Sequence, residues 1–268
     1  MFSNLFHMEL IRYIKNKSAM ASVIVTLFLC ILADLFLKLE LAIVADPASI
    51  TEEISLSLQA FAIQFLASMF ALMMGISVVL TTTSFYKNRI YYNVNGVISS
   101  RFKLFLADMV VLLLIAATGS AAIMAYLYVT GRYVDSVSLL DMNNITFVLC
   151  TLFVFCRIFF CILGGYALSH FLRSAVTVFA SALGIQIFQF VLFMATSLYL
   201  NLHLGDNPEA VSVSHILGSL ESPSQALIVY ACGTDMGMTP MTLLAITSIP
   251  FAIIFIVAAV AAGRRIEV

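Results

Sequence analysis

Hydrophobic residues in this chain come in long blocks, and block length is what most restricts the fold. Six blocks can be drawn, at roughly 18–38, 59–81, 104–130, 147–168, 175–200 and 242–262. Each is close to the ~20 apolar residues that a helix needs to cross a hydrocarbon core. Charge agrees with this: 62% of residues are hydrophobic and only 10% are charged, too few to keep such a surface in water. The expectation is an all-α integral membrane protein, residues 1–268 forming one domain of six transmembrane helices. No basic patch of a size that binds nucleic acid is present.

The joints between blocks set the orientation, because Lys and Arg accumulate on the cytoplasmic side of a membrane. Arg12, Lys15 and Lys17 precede the first block, and Lys87, Arg89, Arg101 and Lys103 fill the second joint. Arg173 marks the fourth joint, and Arg264 and Arg265 follow the last block. These ten fall on one side, leaving Lys38 and Arg132 on the other and Arg157 inside a block. The chain is therefore expected to be multi-pass in the plasma membrane with both termini cytoplasmic. The opposite joints carry acids such as Glu40, Asp46, Asp135, Asp141 and Asp206. Those acids fit attraction of cationic substrates, or simply the exclusion of basic residues.

Three polar stretches carry more information. In residues 1–17, Phe2, Leu5, Phe6, Leu10 and Tyr13 share one side of a helix, which predicts an interfacial helix before the first span. Glu9 falls in the middle of that side. The outer joint 201–241 is long and holds two short apolar patches, expected as short helices before the last span. The second joint, 84–103, reads SFYKNRIYYNVNGVISSRFK, with four basic residues and no acid. On a helix its Ile90, Tyr91, Val94, Val97 and Ile98 form one apolar stripe, away from Arg89, Asn93, Asn95, Ser99 and Ser100. Such a stripe either lies on lipid headgroups or docks into a groove on a soluble partner.

The run NGVISSRFK at 95–103 is similar to the Gly, small residue, Ser-Arg run that leads into the third span of the ABC-2 type permeases. LSHFLRSAVTVFASALG at 168–184 resembles that family's short cytoplasmic turn between spans four and five. The layout of the whole chain resembles these membrane subunits of bacterial ABC exporters, with their interfacial N-terminal helix, six spans and cytoplasmic termini. The resemblance implies a cytoplasmic coupling helix, with Arg89, Ile90, Tyr91, Val94, Val97, Ile98 and Arg101 meeting a cytosolic ABC ATPase subunit. It implies a second permease copy, or a related permease, as dimer partner. It implies export of a hydrophobic or amphipathic substrate such as a peptide antibiotic, a drug or a lipid. ATP and Mg would bind the partner ATPase and this chain would bind no cofactor. The sequence has no G-x-x-x-x-G-K-[ST] and no Gly followed by Lys.

Several residues inside the blocks stand out. Arg157 lies mid-block, where an ionisable group faces protein or water. Asp34, further out, and Asp108, further in, are its candidate ion-pair partners. Arg157, Gln186 and Gln189 either pack across helices by hydrogen bonds or line a translocation path. Ala67, Ala71 and Gly75, and likewise Ala180 and Gly184, make small-residue faces for close helix approach, within one subunit or across a dimer. Cys150 and Cys232 fall towards the outer side and are candidates for a disulfide. His203 and His215 share an outer loop with carboxylates, but at a spacing that fits no metal pattern.

Two other classes compete. Glu52-Glu53 resembles a paired-glutamate intramembrane protease motif, with Ser57 where that pattern wants Arg. There is no H-E-x-x-H and no G-x-S-x-G. A stand-alone secondary transporter would call for paired broken helices and acids at mid-membrane, and the chain offers few of either.

Overall fold

In lipid each backbone N–H and C=O must find a partner inside its own segment, so the apolar blocks become helices. The computed structural model describes residues 2–17, 52–87, 101–130, 132–134, 137–138, 144–184 and 252–260, with scattered positions between 20 and 39, between 187 and 198, and at 249. The N-terminal helix α1 is Phe2–Lys15. Three long helices follow: α2 Glu52–Lys87, α3 Arg101–Thr130 and α4 Asn144–Leu172. Each holds a stretch apolar and long enough to cross a membrane, at Phe65–Lys87, Lys103–Val129 and Cys150–Leu172. The molecule is thus a helical, membrane-embedded protein. At 1.5 Å per residue the 36-residue α2 is roughly 54 Å long and outreaches a ~30 Å hydrocarbon core.

Between α3 and α4 the chain forms a small hairpin within this otherwise helical fold. Its strands are β1 Arg132–Val134 and β2 Val137–Ser138, antiparallel, with Arg132 opposite Ser138 and Val134 opposite Val137. The register is irregular between Arg132 and Val134. A fifth helix, α5, is Ala175–Gly184, and residues 252–260 are also helical. The described positions between 20 and 39 are helical too.

The core lies between α2 and α4. Ala67 and Ala71 are fully buried, and Gly75 continues their face. A Cβ built on Gly75 would meet the Cys161 carbonyl oxygen at 3.6 Å. One built on Gly165 would meet Val79 Cγ2 at 3.1 Å and the Gly75 carbonyl oxygen at 3.2 Å. The two backbones touch because these residues have so little side chain. The small-residue face of α2 therefore packs within this chain. Gly184, by contrast, has open space around it. Large side chains seal the core on either side of the crossing, among them Ile63, Leu66, Leu112, Met124, Ile158, Ile162 and Tyr166. In 252–260, Ala258 is buried, Phe255 meets Phe105 of α3 edge-on, and Ile254 packs on the core.

The last two turns of α2 are rich in hydroxyls, and these bond back to the helix. Thr81 Oγ1 donates to the Ser77 carbonyl, Thr83 Oγ1 to Val79, and Ser84 Oγ to Thr81, all at 2.7–2.8 Å. In this way the hydroxyls of Thr81, Thr83 and Ser84 are satisfied without water.

α1 lies against the bundle with the side marked apolar in its sequence. Leu5 and Tyr13 are buried, Phe6 and Leu10 are half-buried against the core, and Leu5 clusters with Leu104 and Ala107 of α3.

Replacing Gly165 with Leu should force α2 and α4 apart and cost about 1–3 kcal/mol, as overpacking does. Thermal unfolding in detergent measures this, and Gly184→Ala, with open space around it, should not lower the transition.

Candidate functional site

Glu9, which interrupts the apolar side of α1, is 1% exposed, and Arg12 one turn on is 8% exposed. A lone charge buried this way would be prohibitive, so both must be paired. The Arg12 guanidinium lies 2.7 Å from Glu9 Oε2 and 3.9 Å from Asp108 Oδ1 of α3. Its carbon sits 3.4 Å from the centroid of the Phe85 ring at the end of α2, a cation–π contact. Asp108 is fully buried and accepts a 2.7 Å hydrogen bond from the Tyr166 hydroxyl of α4.

The contacts continue across the bundle. The Tyr166 ring meets His170 edge-on at 4.4 Å, and His170 Nδ1 lies 2.5 Å from the Tyr86 hydroxyl of α2. The Arg173 guanidinium then stands 5.5 Å from the centroid of the Tyr86 ring. Beside this, Asn16 at the end of α1 donates from Nδ2 to Thr81 Oγ1 at 2.7 Å. α1, α2, α3 and α4 are thereby joined at one end of the bundle by polar contacts.

Lys87 and Arg173, from two of the basic joints, meet at that end. A groove of about 700 Å³ is lined by Asn16 after α1, by Thr83, Tyr86 and Lys87 of α2, and by Arg173 and Ser174 between α4 and α5. α2 ends at Lys87 and α3 begins at Arg101.

Of the coupling residues expected from the sequence, Arg89, Ile90, Tyr91, Val94, Val97 and Ile98 lie outside the described residues, and Arg101 is the first residue of α3. Asp34, Gln186 and Gln189 also lie outside them. Arg157 is half-buried in α4, and its Nη2 reaches Ser68 Oγ of α2 at 3.5 Å. Asp108, expected as a candidate partner for Arg157, is met by Arg12 and Tyr166 instead. The reason is depth: residues 157 and 166 of α4 are nine positions apart, roughly 14 Å along the helix. Cys150 is buried in the core, while Cys232, His203 and His215 lie outside the described residues. Among the described residues no group of His, Cys, Asp and Glu is arranged to hold a metal.

Nothing in the sequence alone marks Tyr86, Tyr166 or His170, and Glu9 there only interrupts an apolar helix side. The available signal was Glu9 and Arg12 three apart on α1, opposite charges on neighbouring turns of one helix side. No protein-family model matches the chain, and no curated protein matches it.

Arg12→Met removes the guanidinium shared by Glu9 and Asp108 and should destabilise the protein by about 3–5 kcal/mol, the usual result of breaking one side of a buried ion pair. The triple variant Glu9→Gln, Arg12→Met, Asp108→Asn should recover most of the loss. Thermal unfolding of the two proteins in the same detergent measures the difference.

Proposed function

We propose that this chain is the membrane subunit of an ATP-driven exporter of the ABC-2 permease type. In this reading the three long apolar helices are part of a six-span bundle, completed by the blocks at 18–38, 175–200 and 242–262. The end that carries Lys87 and Arg173 faces the cytoplasm, by the rule that basic residues collect there. The apolar stripe of Ile90, Tyr91, Val94, Val97 and Ile98 seats in a groove on a separate cytosolic ATPase, which binds ATP and Mg. A second permease copy, or a related permease, completes the transporter. Its cargo is a hydrophobic or amphipathic molecule such as a peptide antibiotic, a drug or a lipid.

One observation carries the reading. Lys87 ends α2 and Arg101 begins α3, the two residues that flank the joint 88–100 in sequence, and α1, α2, α3 and α4 are linked through Arg12, Asp108, Tyr166 and Tyr86. A push on that joint acts on α2 through Lys87 and on α3 through Arg101. The buried contacts carry it to α1 and α4, so the bundle responds as a unit rather than one helix at a time.

The test is co-expression with the ATPase encoded beside this chain. Val94→Asp with Ile98→Asp should abolish co-purification and ATP-dependent export while leaving the unfolding temperature of the isolated chain in place. Unaltered assembly of that variant with the ATPase would refute the coupling role.

A further inference from the structure

Helix α4 ends on a residue in the left-handed region, and that residue is Arg173, with φ 54°. Its N–H bonds the Ser169 carbonyl at 3.1 Å, closing the helix in the simple left-handed cap that glycine normally fills. An arginine here strains the backbone, and strain of this kind collects at binding sites. The turn holds the guanidinium at the Tyr86 ring, on the rim of the groove.

Lys87 lines the same groove. Ser174 lies beside Arg173, and no Asp or Glu is among the residues that line the groove. Two cations thus face one opening with no counter-charge among its described walls. Arginine's planar fork matches phosphate oxygens two at a time, and lysine supplies a second point charge. The groove is also partly apolar: Leu80 and Val176 line it. From Val176, 76% exposed, an apolar face runs along α5 to Leu183, 59% exposed and two turns on. A dicationic opening continuous with a bare apolar helix face, at the end of a membrane bundle, has the chemistry of an anionic lipid. A free anion would use the cations and leave the helix face idle.

We propose that this groove binds a phosphate group, and that an anionic phospholipid carries it. Arg173 and Lys87 clasp the phosphate, and the Val176–Leu183 face of α5 takes the start of an acyl chain. The site requires a membrane but no ATPase partner, so it stands or falls apart from the exporter reading.

The test is lipid binding by the purified full chain in a neutral detergent, measured by native mass spectrometry with phosphatidylglycerol and with phosphatidylcholine. Arg173→Gly suits the backbone at that position, so Arg173→Gly with Lys87→Gln should unfold no lower than the parent. At roughly fivefold per cation near a membrane surface, that variant should lose about 25-fold in affinity for phosphatidylglycerol and keep its affinity for phosphatidylcholine. Lys15→Gln with Lys17→Gln removes the same charge outside the groove and should change little. An equal loss in that control, equal binding of the two lipids, or undiminished phosphatidylglycerol binding by the groove variant would overturn the proposal. Inorganic phosphate that raises the unfolding temperature as much as phosphatidylglycerol would keep the phosphate site and overturn the lipid as its source.

Discussion

Helices in lipid gain nothing from hiding apolar surface against one another, because the solvent is as apolar as they are. What holds this bundle is contact, and the contact depends on how near two backbones can come. At Gly75 and Gly165 the answer is within reach of a carbonyl oxygen. Every additional atom on that face would hold α2 and α4 further apart and loosen the dispersion contacts of the buried side chains above and below. The same closeness sets where Tyr166 and His170 of α4 fall relative to Asp108 and Tyr86. The polar end of the bundle is in this sense a product of its apolar middle.

That polar end is unusual in being buried. Arg12 lies between two carboxyl side chains and an aromatic ring, with little solvent to soften any of these interactions. A buried ion cluster of this kind adds little net stability over a well-packed apolar one, but tolerates very few arrangements. Here it fixes the rotation of α1 on its axis, since a turn of one residue would remove Arg12 from Asp108. An amphipathic helix held only by apolar contacts could slide or roll; this one is keyed.

Much of the architecture was legible from the sequence. The blocks at 59–81, 104–130 and 147–168 lie within or nearly coincide with α2, α3 and α4, because a run of apolar residues as long as a bilayer is thick has few other uses. The polar joint at Arg173 also falls where α4 ends. The helix ends were less legible. α2 runs on to Lys87 because Thr81, Thr83 and Ser84 satisfy themselves on its own carbonyls, a device that polar composition alone reads as a loop. The site was the least legible part. Asp108 looked like a partner for Arg157 because both are ionisable and within apolar runs, but its partner depends on which helices meet at that depth. Glu9 looked like a flaw because hydrophobic periodicity has no way to represent a charge that points inward to meet another. Arg173 gave no sign of its left-handed backbone, since the usual marker is a glycine.

The hydroxyl bonds at the end of α2 have a mechanical consequence. Each adds a second donor to a carbonyl already used by the helix ladder, and such sharing bends and softens a helix locally. Softening is confined to the turns between Ser77 and Lys87, while the stretch around Ala67, Ala71 and Gly75 is braced along its length by α4. α2 is thus a stiff rod with a compliant tip, and a displacement arriving from outside the membrane core would flex the tip before it tilted the rod.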